Sequence, residues 1–348
     1  MQQWIKEVAR GKRGSKDLDY DQTREVARLI LSGEATDAQV AAYFIAQRLK
    51  TESPEELLAF THALQEASEK LRLSNRNVID LASPYNGRNS LTGTIPTALL
   101  LAEKGQSVFL HGSDPLPPKY GTALKDILVE LGIEVTLSAS QLTNIIEETR
   151  IGFASTEQYC PGLSRLRQVR IELGVRTLLN TVEKLLDLSQ ANSLMMGAYH
   201  RTAINKIAPI FKGLSYKNVY IVQGMEGSED LPVHRNSFIY RISGDEMESM
   251  IVKPEEFGLL EEEFDKNIKL TANEQAEIIL ALLSGEKTGA IRYYYHQVVF
   301  NTGIRYYLFG VAASIEEGIE MAKEQLSNQD GLRSLEKWKA IQQPSLLK

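Results

Sequence analysis

The sequence predicts an α/β fold, with a small N-terminal all-helical domain followed by a large domain built on a mainly parallel central sheet covered by helices. Three observations support this prediction. Only helical patterns occur at the start of the chain. Short apolar runs then alternate with helical runs, which is typical of a sheet with covered faces. The end of the chain returns to helical spacing.

The N-terminal helices carry clear start and stop signals. Thr36 is followed three positions later by Gln39, which is a capping-box pair. Ser53 precedes Pro54 and two acidic residues, so a cap, a proline at the first helical position and favourable charges coincide. Gly33 follows the apolar spacing of residues 21–31 and can end that helix. These signals predict at least three helices before residue 73.

The second part of the chain alternates between strands and helices. Strands are predicted from short apolar runs at residues 78–81, 108–110, 151–154 and 219–222. Helices are predicted from helical spacing at residues 95–102, 123–131, 274–283, 293–307 and 315–325. We expect the helical domain to span residues 1–73, joined in space by part of residues 160–190, and the α/β domain to span residues 74–348.

Composition and charge exclude several classes of protein. The net charge is −6 and the isoelectric point is about 5.6, so the chain lacks the basic surplus of a dedicated nucleic-acid binder. Cys160 is the only cysteine, which excludes an intrachain disulfide and a cysteine-rich zinc site. The N-terminus is polar and the apolar runs are short. We therefore expect a cytoplasmic protein with no membrane association.

Three loops that follow predicted strands are candidates for a functional site, because ligands of open α/β sheets bind at the carboxyl ends of the strands. The loop at residues 223–230 contains Glu226, Glu229 and Asp230 between glycines. Magnesium prefers such hard oxygen ligands and shares its other positions with phosphates and water. Spacing alone leaves two interpretations open, a magnesium site and a solvated acidic turn.

The loop at residues 111–122 and a later arginine-rich segment could bind anions. Lys119 and the backbone amides of Gly121 and Thr122 precede a predicted helix, whose positive end favours an anion. The alternative is a stiff proline loop with a surface lysine, and the residues of this loop by themselves favour that alternative. Residues 165–177 contain four arginines, which suit carboxylates and phosphates. A solvated helix face is the alternative for most of them.

The order of these motifs resembles that of the anthranilate phosphoribosyltransferase family, within the group that includes pyrimidine nucleoside phosphorylases. Residues 170–180 are similar to the family's R-x-x-L-G-x-R-T-x-x-N run, and residues 224–230 to its G-x-D-G-x-D-E. The resemblance covers nearly the whole chain. It implies that Glu229 and Asp230, with Glu226, hold Mg²⁺, that Arg170 reaches the acceptor, and that the protein forms a homodimer through its N-terminal helices.

The first loop departs from the family. Residues 82–94 keep only Gly87 where the family has G-T-G-G-D, Pro84 removes a donor, and Asp114 reverses a charge in the second loop. A pyrophosphate would lose several charge-assisted contacts of roughly 1.5–3 kcal/mol each, and Arg88 is expected to restore one positive charge. The resemblance implies the following substrate-binding residues: Asn86, Gly87, Arg88, Thr92, His111, Gly112, Lys119, Gly121, Thr122 and Arg170.

Three functional hypotheses follow. The first is a glycosyltransferase of the pentosyltransferase type, with Mg-dependent transfer at ribose C1 between a phosphorylated ribose donor and a small aromatic or base-like acceptor. This chemistry needs positioning and charge stabilisation rather than a nucleophile. The second is a non-catalytic paralogue that binds a ligand or, against its charge, nucleic acid. The third is an authentic anthranilate phosphoribosyltransferase of tryptophan biosynthesis, for which the rewritten loop predicts failure to complement an auxotroph.

Overall fold

The N-terminal part of the computed structural model, which describes residues 1–11, 13–244 and 246–342, consists of helices that begin where the sequence indicates. The first four helices are α1 (Gln2–Val8), α2 (Tyr20–Leu31), α3 (Asp37–Lys50) and α4 (Pro54–Glu66). Thr36 and Ser53 cap α3 and α4, and in both cases the residue three positions on bonds back to complete a capping box. The same arrangement begins α2 at Asp19, a cap that the sequence prediction does not include.

The larger part is built on one seven-stranded sheet with the order β3-β2-β1-β4-β5-β6-β7. The strands are β1 (Val78–Ala82), β2 (Ser107–Gly112), β3 (Ile151–Ser155), β4 (Ser193–Gly197), β5 (Asn218–Val222), β6 (Ser237–Ser243) and β7 (Glu246–Val252). The first five strands pair in parallel, while β6 and β7 are antiparallel. The predicted fold class, a helical domain with a mainly parallel α/β domain, is confirmed.

Helices cover this sheet. They are α5 (Thr94–Glu103), α6 (Leu124–Glu130), α7 (Ala139–Thr149), α8 (Thr156–Tyr159), α9 (Pro161–Leu173), α10 (Leu179–Val182), α11 (Arg201–Ile207), α12 (Ala272–Leu283), α13 (Arg292–Leu308), α14 (Ile315–Ser327) and α15 (Asp330–Ile341). Helix α5 is apolar and buried on nearly all sides, because it lies between the sheet and helices α12, α13 and α15. It is the central helix of the core.

The two parts of the molecule share helices. Helix α9 contacts α2 and α3, and α10 contacts α4, so residues between 160 and 190 pack with the N-terminal helices. The domain boundaries at residues 73 and 74 stay a prediction. Among the described residues, no helix is long and apolar enough to cross a membrane.

The topology fixes where a ligand is expected. The chain runs from β1 to β2 and β3 on one side, then returns to β4 on the other side of β1. Neighbouring connections therefore diverge between β1 and β4, which creates a crevice outside the carboxyl ends of these strands. The loops at residues 83–93 and 198–200 border this crevice, and the loop at residues 223–236 lies beside it.

Candidate functional site

The loops that follow β1 and β2 are joined to each other by their backbones. Arg88 and Thr122 exchange backbone hydrogen bonds of 2.9 and 2.8 Å, and the amide of Gly121 donates to the carbonyl of Asn86 at 3.0 Å. Gly87 makes this approach possible, because a Cβ there would lie 2.1 Å from the Gly121 carbonyl oxygen. The amides of Gly121 and Thr122 already have partners, so they do not form the anion cradle predicted from the sequence.

The side chain of Arg88 points into the protein. Its guanidinium forms an ion pair with Asp230 and donates to the Leu91 carbonyl at 2.6 Å, and only 2% of the side chain is exposed. In this structure Arg88 is directed at Asp230, and its predicted contact with a phosphate stays a prediction. The Arg88 charge neutralises a buried carboxylate, which could not stay ionised in the interior without a partner.

Asp230 has a second arginine partner that the sequence prediction misses. Arg305 of α13 lies 3.1 Å from Oδ1 of Asp230, and both side chains are fully buried. The amide of Thr94 donates to Oδ2 at 3.0 Å. Burial alone would raise the pKa of Asp230, but the two arginines and these hydrogen bonds hold it below its ordinary value. Both oxygens of Asp230 are thus occupied by the protein's own donors.

Glu229 is buried beside this ion triad but is less completely bonded. Its Oε1 accepts hydrogen bonds from the hydroxyls of Ser83, at 2.8 Å, and Thr94, at 2.5 Å. Its Oε2 is buried and has no hydrogen-bond partner in the described part of the chain. An unpaired buried carboxylate oxygen is costly, so Oε2 is the atom of this acidic pair that is available to a further ligand.

Glu226 points toward the β1 loop. Its carboxylate accepts hydrogen bonds from the amides of Asn89, at 3.1 Å, and Ser90, at 2.8 Å, from the Ser90 hydroxyl at 2.7 Å, and it pairs with Lys119. Burial opposes ionisation, but the Lys119 and Ser90 contacts outweigh it and lower the pKa of Glu226 to about 2. Lys119 and Glu226 are therefore partners in this structure.

The three acids predicted to hold a metal do not converge on one point. Among residues 1–11, 13–244 and 246–342, no three His, Cys, Asp or Glu side chains are grouped as a metal site. Glu226 and Asp230 are saturated by cations and amides, so they do not fit a divalent ion. Glu229 fits one through Oε2, in agreement with the one or two carboxylates that magnesium usually takes from a protein.

His111 and Arg170 lie in a buried polar network. His111 Nε2 is 2.9 Å from Asp80, and its Nδ1 is 2.5 Å from the Tyr85 hydroxyl, which also donates to the Glu183 carbonyl at 2.9 Å. Arg170 is 2.5 Å from the Glu183 carboxylate. Burial raises the pKa of Glu183, and Arg170 opposes that rise. The substrate contacts expected of His111 and Arg170 stay predictions, and the structure places both side chains inside the protein.

The remaining predicted residues are divided between the interior and the crevice. Thr92 donates its amide to Gln275 at 2.8 Å and is buried. Gly112 ends β2 and accepts a hydrogen bond from Thr156 at 3.1 Å. Asn86 lines the crevice, and its Nδ2 is buried without a partner in the described chain. Of the predicted substrate-binding side chains, Asn86 is therefore the one placed on the wall of the crevice.

The crevice has a volume of about 480 Å³ and lies between the end of α3 and the carboxyl ends of β1 and β4. Arg176 and Lys184 line it, and neither forms an ion pair with a carboxylate in the part of the chain that the structure describes. The Arg176 guanidinium stacks 4.5 Å from the ring centre of Tyr199. Lys184 donates to the Gly197 carbonyl at 3.0 Å. Burial lowers the pKa of Lys184 to about 8, against the nearby charge of Glu229.

A larger cavity of about 610 Å³ lies elsewhere, beside Asn77, Ser193 and Asn218, where β1, β4 and β5 begin. This is the amino edge of the parallel strands. Ligands of open α/β sheets bind at the opposite edge, so we assign the candidate site to the crevice with Arg176 and Lys184. Sequence analysis includes Arg176 only as part of a motif and does not identify Lys184.

Comparison with known proteins identifies the family. Residues 86–331 match the α/β domain of the glycosyl transferase family, and residues 2–68 match its helical bundle domain. The chain belongs to this family. The membership confirms the resemblance that the motifs indicated, and it makes the protein an enzyme of the glycosyltransferase type.

Relatives within the glycosyl transferase family align along nearly the whole chain. The anthranilate phosphoribosyltransferase of Persephonella marina is 28% identical over 335 residues, which is 96% of this chain and 97% of that protein. The one from Clostridium beijerinckii is 29% identical over 329 residues, or 94% of this chain and 95% of that protein.

Solved structures share the fold. The anthranilate phosphoribosyltransferase of Thermus thermophilus aligns with a TM-score of 0.81 and 25% identity, covering 97% of this chain and 98% of the other. The Saccharomyces cerevisiae enzyme in complex with PRPP and Mg aligns with a TM-score of 0.82 and 20% identity, over 97% and 96% of the two chains.

Proposed function

We propose that this protein is a phosphoribosyltransferase or a close pentosyltransferase relative, which acts at ribose C1 of a phosphorylated ribose donor and uses a small aromatic acceptor. The observation that supports this most is the crevice at the β1–β4 switch point, where Arg176 and Lys184 present charges without carboxylate partners among the described residues. Two such cations in a partly enclosed space favour an anionic ligand.

The chemistry fits a site without a nucleophile. Departure of a group from ribose C1 develops positive charge on the ring and negative charge on the leaving phosphate. Arg176 and Lys184 would bind and orient the anionic groups, and the Tyr199 ring, which lines the crevice beside Arg176, would contact the acceptor. Asn86 would donate its free Nδ2 to a ligand oxygen. The crevice walls would exclude part of the water that competes with the acceptor.

Magnesium is part of the proposal, because the S. cerevisiae relative has been solved with PRPP and Mg. Glu229 would hold the ion through Oε2, with its other ligands from substrate phosphates and water. Bound there, the ion would supply positive charge opposite the leaving phosphate. Asp230 is paired with Arg88 and Arg305, and Glu226 is paired with Lys119. The protein would therefore offer the magnesium ion one carboxylate rather than two.

A second candidate is the anthranilate phosphoribosyltransferase reaction itself. The near full-length relatives from P. marina and C. beijerinckii carry that name, and the S. cerevisiae enzyme has also been solved with 4-fluoroanthranilate. In this chain Arg176 rather than Arg170 would receive the acceptor carboxylate, because Arg170 is neutralised by Glu183. Homodimer formation through the N-terminal helices is a further proposal, which light scattering would test.

The test is calorimetric titration of PRPP with magnesium into the wild type, Lys184→Met and Lys253→Met. Lys253 is the control, because it pairs with its neighbour Glu256 at the surface and does not line the crevice. We expect binding to the wild type and the control, and affinity reduced by roughly tenfold or more in Lys184→Met, as loss of one charge-assisted contact implies. Absence of binding at millimolar PRPP would refute the proposal. Complementation of a tryptophan auxotroph would establish the second candidate.

A further inference from the structure

Four donors converge on the carboxylate of Glu226. They are the consecutive amides of Asn89 and Ser90, the Ser90 hydroxyl, and the ammonium group of Lys119. Successive backbone N–H groups that point into one concavity form a binding place for an oxyanion, and a hydroxyl and a lysine strengthen it. The donor set is thus of the kind that binds a phosphoryl group, but a side chain of the same molecule fills it.

Glu226 has an unfavourable backbone conformation and a partly exposed side chain. Glu226 has a φ of +51°, a left-handed conformation that is unfavourable for a residue with a long side chain. Its side chain is 22% exposed and that of Lys119 is 19% exposed, whereas Asp230 is fully buried. The Glu226 carboxylate therefore already borders solvent, and its release would not require the core to open.

Both loops that meet at Glu226 are held by other contacts. Within the acidic loop, the Met225 amide donates to the Asp230 carbonyl at 2.7 Å, and the Ser228 amide donates to the Met225 carbonyl at 2.8 Å. The β1 loop is fixed by the Arg88–Thr122 backbone pair described above. Release of the Glu226 carboxylate would therefore leave both loops in place, with two amides, a hydroxyl and a lysine exposed to solvent.

The site adjoins the crevice. Gly227, the next residue, lines the crevice, and a Cβ on it would lie 2.3 Å from the Tyr199 ring. We propose that Glu226 is an internal competitor, whose carboxylate occupies the donors of Asn89, Ser90 and Lys119 and must be displaced by a phosphoryl group before that group can bind there. This proposal rests on the proposed function, because a phosphorylated donor is the ligand that would use the site.

Inorganic pyrophosphate tests directly whether Glu226 competes with a phosphoryl ligand, because its binding can be measured without turnover. Titration calorimetry would compare the wild type with Glu226→Ala, with Glu226→Gln as a conservative second variant, and with Glu246→Ala as an exposed acidic control. We expect at least about tenfold tighter binding for both Glu226 variants, since the displaced contacts include a charged one. The control should match the wild type.

The added variant Glu226→Ala with Lys119→Met should lose this gain, because the ammonium group no longer contributes. Thermal unfolding of each variant establishes that it is folded. If the affinity for pyrophosphate is unchanged or weaker in both Glu226 variants, Glu226 is not a competitor, even if the wild type transfers the ribose of PRPP. Tighter pyrophosphate binding without any transfer would support the oxyanion site and count against the proposed function instead.

Discussion

Replacement of Arg305 by methionine should destabilise the protein strongly. Arg305 is fully buried and its guanidinium contacts Asp230 at 3.1 Å, the Asn301 side chain at 2.7 Å and the Glu229 carbonyl at 3.2 Å. Removing one partner of a buried ion pair costs about 3–5 kcal/mol, because the other charge is left uncompensated. Asp230 keeps Arg88 as a partner, so we expect the lower end of that range, about 3 kcal/mol.

The assay is urea unfolding of purified variants, with the change in the free energy of unfolding taken from the midpoint shift and the slope. Arg28→Met is the control, since Arg28 pairs with Glu25 and Glu34 at the surface and such pairs contribute about 0–1 kcal/mol. In an Asp230→Asn background, Arg305→Met should cost at least about 1 kcal/mol less, because no ionised carboxylate remains to be orphaned.

Two outcomes would refute this reasoning. A loss below about 1 kcal/mol for Arg305→Met would show that the buried charge is compensated by some other means. Equal losses in the wild-type and Asp230→Asn backgrounds would show that Arg305 acts through packing and not through its charge, since methionine keeps much of the apolar volume but none of the hydrogen bonds.

Two further predictions concern the loops and the crevice. Gly87→Ala should lower the free energy of unfolding in urea by more than about 1–3 kcal/mol and abolish PRPP binding, because it adds a clash with Gly121 to the strain of a positive φ. Gly105 is the control, because it also has a positive φ but has open space around it. Gly105→Ala should cost about 1 kcal/mol. PRPP affinity should fall as pH rises through about 8, where Lys184 loses its proton, and Lys184→Arg should keep its affinity above that pH. A Lys184→Arg profile that still falls near pH 8 would contradict the assignment.

The elements that the sequence predicts well are those whose signals are local. The capping boxes at Thr36 and Ser53 involve residues three positions apart, so the sequence contains the whole interaction. Strand β4 escapes prediction, because its short run of serine, leucine, methionine and glycine has neither β-branched residues nor alternation. Strand β7 also escapes it, because glutamate and serine interrupt its apolar residues on both faces and most of the strand is exposed.

The sequence predicts the position of the site but not its detail. The three loops follow strands, and the carboxyl-end rule locates them correctly. Their charge pairs are a tertiary property, since Asp230 meets Arg88 and Arg305, which lie 142 and 75 positions away. Nothing in the local pattern marks Lys184 as a crevice residue, because it follows Glu183 and resembles a surface pair in sequence. Which charged residues pair with each other depends on how the chain packs, and a single sequence does not show that packing.

The buried triad of Arg88, Asp230 and Arg305 has an evolutionary consequence. Loss of Asp230 would leave two buried guanidinium groups without their shared carboxylate, so a lineage can replace Asp230 only if it also changes at least one of the two arginines. The three positions should therefore covary among descendants of this chain, although they lie in a loop, a second loop and a helix. Relatives in which residues 88 and 305 are both uncharged would leave a buried carboxylate at position 230 without a cation, so residue 230 should be uncharged in them as well, and a survey of sequences would test this.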